Sequence, residues 1–206
     1  MNPARPPQLW LLRHAQPLID PGTCYGRRDV AADAALTATA ACAWLRAAPP
    51  AYVLRHSPLQ RCAQLATLLH TTAPDGITAV HTDARLQEMD FGQWEGQRWD
   101  ALPQGAIDAW AQDLAHTPPG GGEALWDMLA RVRAALRDSW QHDSQHGQRD
   151  VLWVTHAGVI RCVHWLLWHG DALPRSATWQ LPAPALGQHL ALPWDTLRTV
   201  CAPADR

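Results

Sequence analysis

Residues 9–14 of the chain read LWLLRH, a run of four apolar residues that ends in an arginine and a histidine. Short apolar runs are typical of strands buried inside a parallel sheet. Similar runs recur as YVLRH at residues 52–56 and as VLWVTH at residues 151–156. Because parallel strands end at the same edge of a sheet, we predict that the polar residues after these runs meet at one site.

Strands and helices are predicted to alternate along the chain, which favours an α/β fold with a mostly parallel central sheet and helices on both faces. The predicted strands cover residues 9–12, 52–54, 77–81 and 151–154, with tail candidates at 177–181 and 189–192. The predicted helices cover residues 36–48, 58–70, about 105–116, 123–140 and a segment that starts after Ala157. Ser57 is predicted to cap the second helix, with Pro58 as its first residue. In the helix at 123–140 five apolar residues recur at helical spacing and are predicted to be core: Leu125, Met128, Leu129, Val132 and Leu136.

Length and composition favour one domain over residues 1–206, since 47% of the residues are hydrophobic. The net charge of −2 indicates no nucleic-acid or membrane-surface partner, so a small molecule is the expected partner. The five cysteines form no CxxC pair, and the N-terminal residues lack the apolar core of a signal peptide. We therefore expect a cytoplasmic protein. The 12 tryptophans fit a core, a pocket or an interface, so the sequence makes no prediction of oligomeric state.

Four basic residues are predicted to gather at the carboxyl edge of the sheet. Arg13 and His14 follow the first strand, Arg61 lies in the first turn of the second helix, and His156 ends the fourth long strand. Guanidinium groups and helix N-termini bind anions, so the natural ligand is a phosphoryl group. A neutral imidazole can attack phosphorus and form a phosphohistidine, while Arg13, Arg61 and protonated His156 stabilise the transferring group with neither metal nor cofactor.

A general acid must protonate the leaving alkoxide in such a reaction. Three carboxylates follow the third strand within LQEMDFGQWEG: Glu88, Asp90 and Glu95. Any of the three that faces the pocket can act as the acid, and the residues alone do not choose among them.

Five motifs in order, LWLLRHAQP, SPLQRCAQLA, LQEMDFGQWEG, PPGGGEAL and VTHAGVIR, resemble the histidine phosphatase superfamily, also called the phosphoglycerate mutase-like family. The resemblance covers roughly residues 8–165 and implies a three-layer α/β/α fold and no metal. CYGRRDV and EMDFGQWEG look most like the α-ribazole phosphatase branch, which removes a phosphate from a precursor of the lower ligand of cobalamin.

The resemblance also implies roles for individual residues. His14 is expected to be the nucleophile, with Arg13 and Arg61 holding the phosphate. His156 is expected to contact the phosphate and stabilise the transferring group. The family pattern favours Glu88 as the proton donor.

Several positions lie near these motifs without a single clear role. Tyr25, Arg27 and Arg28 follow the first motif in a loop that is either a substrate rim or ordinary surface, and we predict Tyr25 and Arg28 as substrate-binding. Glu123 either faces the pocket or favours a helix N-terminus. His56 repeats the RH dipeptide and is predicted to be structural.

Three residues depart from the family pattern: Ala15 replaces a glycine, Asp20 an asparagine that helps to bind phosphate, and Ala124 a serine. We do not assign phosphate binding to Asp20, because its carboxylate would repel the ligand. Two alternatives remain beside an α-ribazole phosphatase. One is a phosphatase of another small ester, a sugar phosphate or a phosphoglycerate, and the other is a catalytically silent phosphate-binding protein.

Overall fold

The computed structural model describes residues 5–145 and 147–201 of the chain. Its centre is a five-stranded sheet with the strand order β3-β2-β4-β1-β5. Strands β1 to β4 run parallel to one another, and β5 pairs antiparallel with β1. The predicted mostly parallel sheet is therefore confirmed. The strands are β1 (Gln8–Arg13), β2 (Tyr52–His56), β3 (Ile77–Thr82), β4 (Asp150–Thr155) and β5 (His189–Pro193).

Six helices accompany the sheet in the described residues: α1 (Ala34–Ala47), α2 (Gln60–Thr72), α3 (Gln104–Gln112), α4 (Leu125–Asp138), α5 (Ala157–His169) and α6 (Trp194–Cys201). The alternation of side chains along each strand divides the core between the two faces of the sheet. Leu9 and Leu11 of β1 pack with α4, α5 and α6, whereas Leu12 packs with α1 and α2. The fold thus has the three α/β/α layers that the sequence resemblance implies.

The helix predicted at 123–140 starts two residues later than expected and ends as a π-helix. It begins at Leu125 and continues after Asp138 as a single π-helical turn, Ser139–Asp143. The five residues predicted to be core in this helix are all buried. All five cysteines are free. No helix in residues 5–145 or 147–201 combines the length and apolar character needed to cross a bilayer.

The predicted N-cap of α2 is wrong. The helix begins at Gln60, two residues later than expected, and its N-cap residue Leu59 makes no side-chain capping bond. Asp29, from the loop after β1, instead accepts from the backbone N–H of Gln60 at 2.7 Å. The Ser57 hydroxyl lies within 2.9 Å of Nε2 of His156. A distant carboxylate thus caps the helix at Gln60, while the Ser57 hydroxyl accepts from the N–H of Leu59 at 3.3 Å and also contacts His156.

The predicted strand at 177–181 is also wrong. The segment from 171 to 188 forms turns and loop, without a strand. Its carbonyl groups accept hydrogen bonds from basic side chains: Leu181 from Arg161 at 3.1 Å and Pro184 from Arg13 at 3.1 Å. The prolines of this segment have no N–H to donate to a neighbouring strand. The loop therefore crosses the sheet edge close to the predicted site.

Candidate active site

His14 lies just after β1 and is 2% exposed. Its Nδ1 is 2.7 Å from the carbonyl oxygen of Ala15. Because a carbonyl only accepts, Nδ1 carries the proton and the lone pair is on Nε2. Burial, followed by the positive charge of Arg61, lowers the pKa of His14 to about 3. The side chain is therefore a neutral imidazole at physiological pH, with Nε2 free of the proton.

His156 is fully buried between β4 and α5, and its ring centroid is 5.0 Å from that of His14. Arg61 donates from Nε to its Nδ1 at 3.2 Å. An arginine never accepts, so Nδ1 is unprotonated and Nε2 donates to the Ser57 hydroxyl. Burial and the charge of Arg61 hold the pKa of His156 well below its ordinary value. His156 is thus neutral here, in contrast to the protonated form expected from the sequence.

Arg61 has no exposed surface, although it lies in the first turn of α2 as predicted. Its Nη1 donates to the carbonyl of Arg28 at 2.9 Å, and its Nη2 to that of Gly26 at 2.6 Å. The guanidinium carbon lies 5.5 Å from the ring centroid of Tyr25. The loop after β1 therefore fixes the position of this buried cation.

Arg13 supplies a second cation at the end of β1. Its Nη1 donates to Pro184, but its buried Nε has no hydrogen-bond partner among the described residues. Burial lowers the pKa of the Arg13 guanidinium, while Tyr25 and Glu88 act in the opposite direction. A buried donor without an acceptor is costly, so this nitrogen suits an anionic ligand.

Glu88 is the one of the three candidate carboxylates that lines the cleft beside His14. Its Oε2 accepts from the backbone N–H of Gly158 at 3.0 Å, in the first turn of α5. Its Oε1 accepts from the N–H of Met89 at 3.1 Å. These bonds hold the carboxyl group at the carboxyl edge of the sheet, next to the predicted nucleophile.

The other two carboxylates stabilise loops. Asp90 accepts from the N–H of Gly92 at 2.8 Å. Glu95 accepts from the backbone N–H groups of Arg27 at 2.8 Å and Phe91 at 3.1 Å. Neither side chain lines the cleft. The geometry therefore favours Glu88 as the proton donor.

The cleft has a volume of about 350 Å³. Its lining brings together Arg13, His14, Tyr25, Glu88, Phe91, Trp99, Trp110, Arg161 and Trp179, with Thr23, Met89, Ala157 and Gly158. A larger cavity of about 610 Å³ lies between α1 and α2 and is lined by no ionisable side chain. The smaller cleft is thus the candidate active site.

Several cleft residues were not found from the sequence. Arg161 lies one turn into α5, within the VTHAGVIR motif. Its short sequence spacing from His156 could have predicted that it lies near the site. Trp99, Trp110 and Trp179 come from separate segments, and no local pattern distinguishes them from core tryptophans.

Three other residues near the sequence motifs do not line the cleft: Arg28, Glu123 and His56. The side chain of Arg28 is exposed and lies outside the cleft lining, so its contribution to the site is the carbonyl that binds Arg61. Glu123 forms an ion pair with Arg131 at 2.6 Å and does not line the cleft. His56 bonds the Ser57 carbonyl at 2.9 Å, as a structural residue would.

Of the three residues that depart from the family pattern, Ala15 is buried among the residues that pack against α1 and α2. Asp20 is exposed. Within residues 5–145 and 147–201, no group of three His, Cys, Asp or Glu side chains is arranged to hold a metal ion.

A neutral histidine beside a buried and a half-buried arginine, at the carboxyl edge of a parallel sheet, is typical of phosphoryl-transfer enzymes. Residues 9–191 match the family model of the histidine phosphatase superfamily (branch 1). The chain belongs to this superfamily.

Similar proteins include the bifunctional protein Rv2228c of Mycobacterium tuberculosis, which is 40% identical over 80 residues. That match covers 37% of this chain and only 21% of the curated relative. The structure of mycobacterial glucosyl-3-phosphoglycerate phosphatase Rv2419c aligns with a TM-score of 0.70 at 25% identity, covering 90% of this chain and 89% of that one.

A putative α-ribazole-5′-P phosphatase from Escherichia coli aligns with a TM-score of 0.71 at 24% identity. The alignment covers 91% of this chain and 90% of that one. At this identity the likeness establishes a shared fold.

Proposed function

We propose that the protein is a phosphomonoesterase that acts through a phosphohistidine at His14. The observation that carries the proposal is the hydrogen bond from Nδ1 of His14 to the Ala15 carbonyl, beside Arg13 and Arg61. That bond fixes the tautomer with a free Nε2. Arg13 lines the same cleft, and buried Arg61 adds positive charge near His14 from outside the cleft lining.

The first step transfers the phosphoryl group to the enzyme. Nε2 of His14 attacks phosphorus, the bond from phosphorus to the leaving oxygen breaks, and the protonated carboxyl of Glu88 gives its proton to that oxygen. Arg13 and Arg61 stabilise the charge on the equatorial oxygens, a role that requires no metal.

The second step is hydrolysis. The Glu88 carboxylate takes a proton from a water molecule, the resulting hydroxide oxygen bonds to phosphorus, and the bond to Nε2 of His14 breaks. Inorganic phosphate leaves, and both side chains return to their starting protonation states.

His156 contributes by holding Nε of Arg61 in place. Direct contact of His156 with the phosphate stays a prediction, and it requires that one ring nitrogen exchange its present partner for a phosphate oxygen. A phosphate dianion close to the ring would favour the protonated form of this histidine.

We propose α-ribazole 5′-phosphate as the substrate, a small phosphate ester encountered in the cytoplasm. The motifs CYGRRDV and EMDFGQWEG support this choice, and Tyr25 and Phe91 from these two motifs line the same cleft. Arg161 favours a second candidate, an ester whose leaving group carries a carboxylate, such as a phosphoglycerate.

The test is phosphate release in EDTA from α-ribazole 5′-phosphate, 3-phosphoglycerate and p-nitrophenyl phosphate. A strong preference for the first supports the reaction, its metal independence and the substrate. Preference for 3-phosphoglycerate favours the second candidate, and turnover of p-nitrophenyl phosphate alone removes the α-ribazole assignment. Phosphate binding without turnover of any ester identifies a silent phosphate-binding protein.

A further inference from the structure

The lining of the active-site cleft is unusually rich in aromatic side chains. Five of its thirteen residues are aromatic, Tyr25, Phe91, Trp99, Trp110 and Trp179, whereas aromatic residues make up 7% of the chain. The proposed hydrolysis uses none of these five rings. Their concentration in the cleft therefore needs another explanation.

Three of these rings, Phe91, Trp99 and Trp110, form a connected wall. Phe91 packs edge to face on Trp99 at 5.5 Å and on Trp110 at 6.1 Å, measured between ring centroids. Trp94 lies behind them, 6.3 Å from Trp99 and 5.7 Å from Trp110. Trp94 is 8% exposed, whereas the other three rings are only partly buried. Mutual packing holds the rings in fixed orientations and leaves them able to contact a ligand.

The cleft combines charged and apolar lining residues. Arg13, His14 and Arg161 come from the β1 edge and α5, with Glu88 beside them. The lining residues between positions 89 and 110 are one methionine and three aromatic residues, without an ionisable group. A ligand that contacts both kinds of lining residue carries a phosphate together with a flat apolar group.

We propose that Trp99 and Trp110, with Trp179 of the loop after α5, form a subsite that stacks on a flat, uncharged aromatic ring of the leaving alcohol. This inference rests on the proposed phosphatase function and narrows its substrate class. The leaving group is nucleoside-like, with an aromatic base attached to a sugar. Stacking tolerates many bases because each has a π-face, so the subsite selects for a ring and not for one hydrogen-bonding pattern.

The test compares two substrates that share phosphate and sugar and differ in the ring: α-ribazole 5′-phosphate and ribose 5-phosphate. For the wild-type protein we expect kcat/KM to favour the ring-bearing ester at least about tenfold. Trp110→Leu lowers this ratio about tenfold, chiefly through KM, and Trp110→Phe restores most of it. Trp126→Leu, at an exposed tryptophan of α4 outside the cleft, leaves the ratio unchanged.

Equal wild-type kcat/KM values for the two esters would overturn the subsite while leaving the phosphatase intact. The same conclusion follows if Trp110→Leu reduces both values in equal proportion. Calorimetric binding of unphosphorylated α-ribazole tests the subsite without any turnover. About tenfold weaker binding of α-ribazole by Trp110→Leu supports the subsite even if no phosphate is released. Equal binding by Trp110→Leu and the wild type, or no detectable binding by the wild type, contradicts it.

Discussion

Arg61 donates from Nε to Nδ1 of His156 at 3.2 Å, inside a site where neither side chain is exposed. The Ser57 hydroxyl occupies the other nitrogen of the ring at 2.9 Å. One cation and one neutral histidine are therefore fixed as a unit, and the charge of the unit resides on Arg61. The remaining guanidinium nitrogens bind carbonyl groups of the loop after β1.

Arg61→Lys should lower kcat/KM for phosphate esters by about 100-fold or more. A lysine keeps the charge but lacks the planar set of donors that reach His156 and two carbonyl groups at once. Steady-state phosphate release measures the effect. Arg133→Lys is the matched control, because Arg133 pairs with Asp171 near the surface and should retain full activity. A similar kcat/KM in Arg61→Lys and the wild type would contradict this role.

His14→Ala should reduce phosphate release to the uncatalysed level and abolish labelling of the protein by a phosphorylated substrate. The reason is that His14 is the one histidine among the described residues that lines the cleft. His56→Ala provides the control, since it removes the histidine of the second RH dipeptide, which bonds Ser57 and Thr82. Undiminished activity of His14→Ala would rule out the phosphohistidine mechanism.

The imidazole of His14 should stay neutral far below the pH at which an ordinary histidine gains its proton. Burial lowers its pKa from 6.5 to about 3, so ¹⁵N chemical shifts should show the Nδ1–H tautomer down to about pH 4. A midpoint near 6.5 would contradict the burial argument.

The same pKa shift links stability to pH. The unfolded chain takes up the proton near pH 6.5, but the folded protein does so only near pH 3. The contribution of neutral His14 to the free energy of unfolding is thus fully present above 6.5 and is lost as the pH falls towards 3. Comparing denaturant unfolding of the wild type and His14→Ala across this range isolates the contribution.

The apolar runs before His14 and His156 are enough to predict the parallel strands and their shared edge, because a strand buried on both faces needs apolar residues at consecutive positions. The cap of α2 was not predictable, because Asp29 reaches it from 31 positions away. Likewise, Glu88, Asp90 and Glu95 look alike in sequence, and only the tertiary arrangement shows which backbone N–H groups each one binds. The apolar character of Trp110 is equally compatible with the core and with a ligand cleft.

The loop that carries Glu88 is held by Arg131 of α4. Nη1 of Arg131 donates to the carbonyl groups of Arg85 at 2.6 Å and Gln87 at 2.8 Å, and Nη2 donates to that of Glu88 at 3.3 Å. Glu123 orients the same guanidinium through two hydrogen bonds of 2.6 and 2.8 Å. Arg131 is thus placed to position Glu88, the proposed proton donor, without lining the cleft.

Arg131→Leu should therefore lower kcat/KM about tenfold or more for α-ribazole 5′-phosphate and much less for p-nitrophenyl phosphate. An alkoxide needs a proton from Glu88 as it leaves, whereas p-nitrophenolate is stable without one. Glu123→Gln should have the same selective effect on kcat/KM for the two substrates, by a smaller factor. Arg133→Leu on the same helix should change neither value. Loss of folding alone would lower both rates in equal proportion, so an unchanged ratio in Arg131→Leu would show that Arg131 stabilises the fold and does not position Glu88.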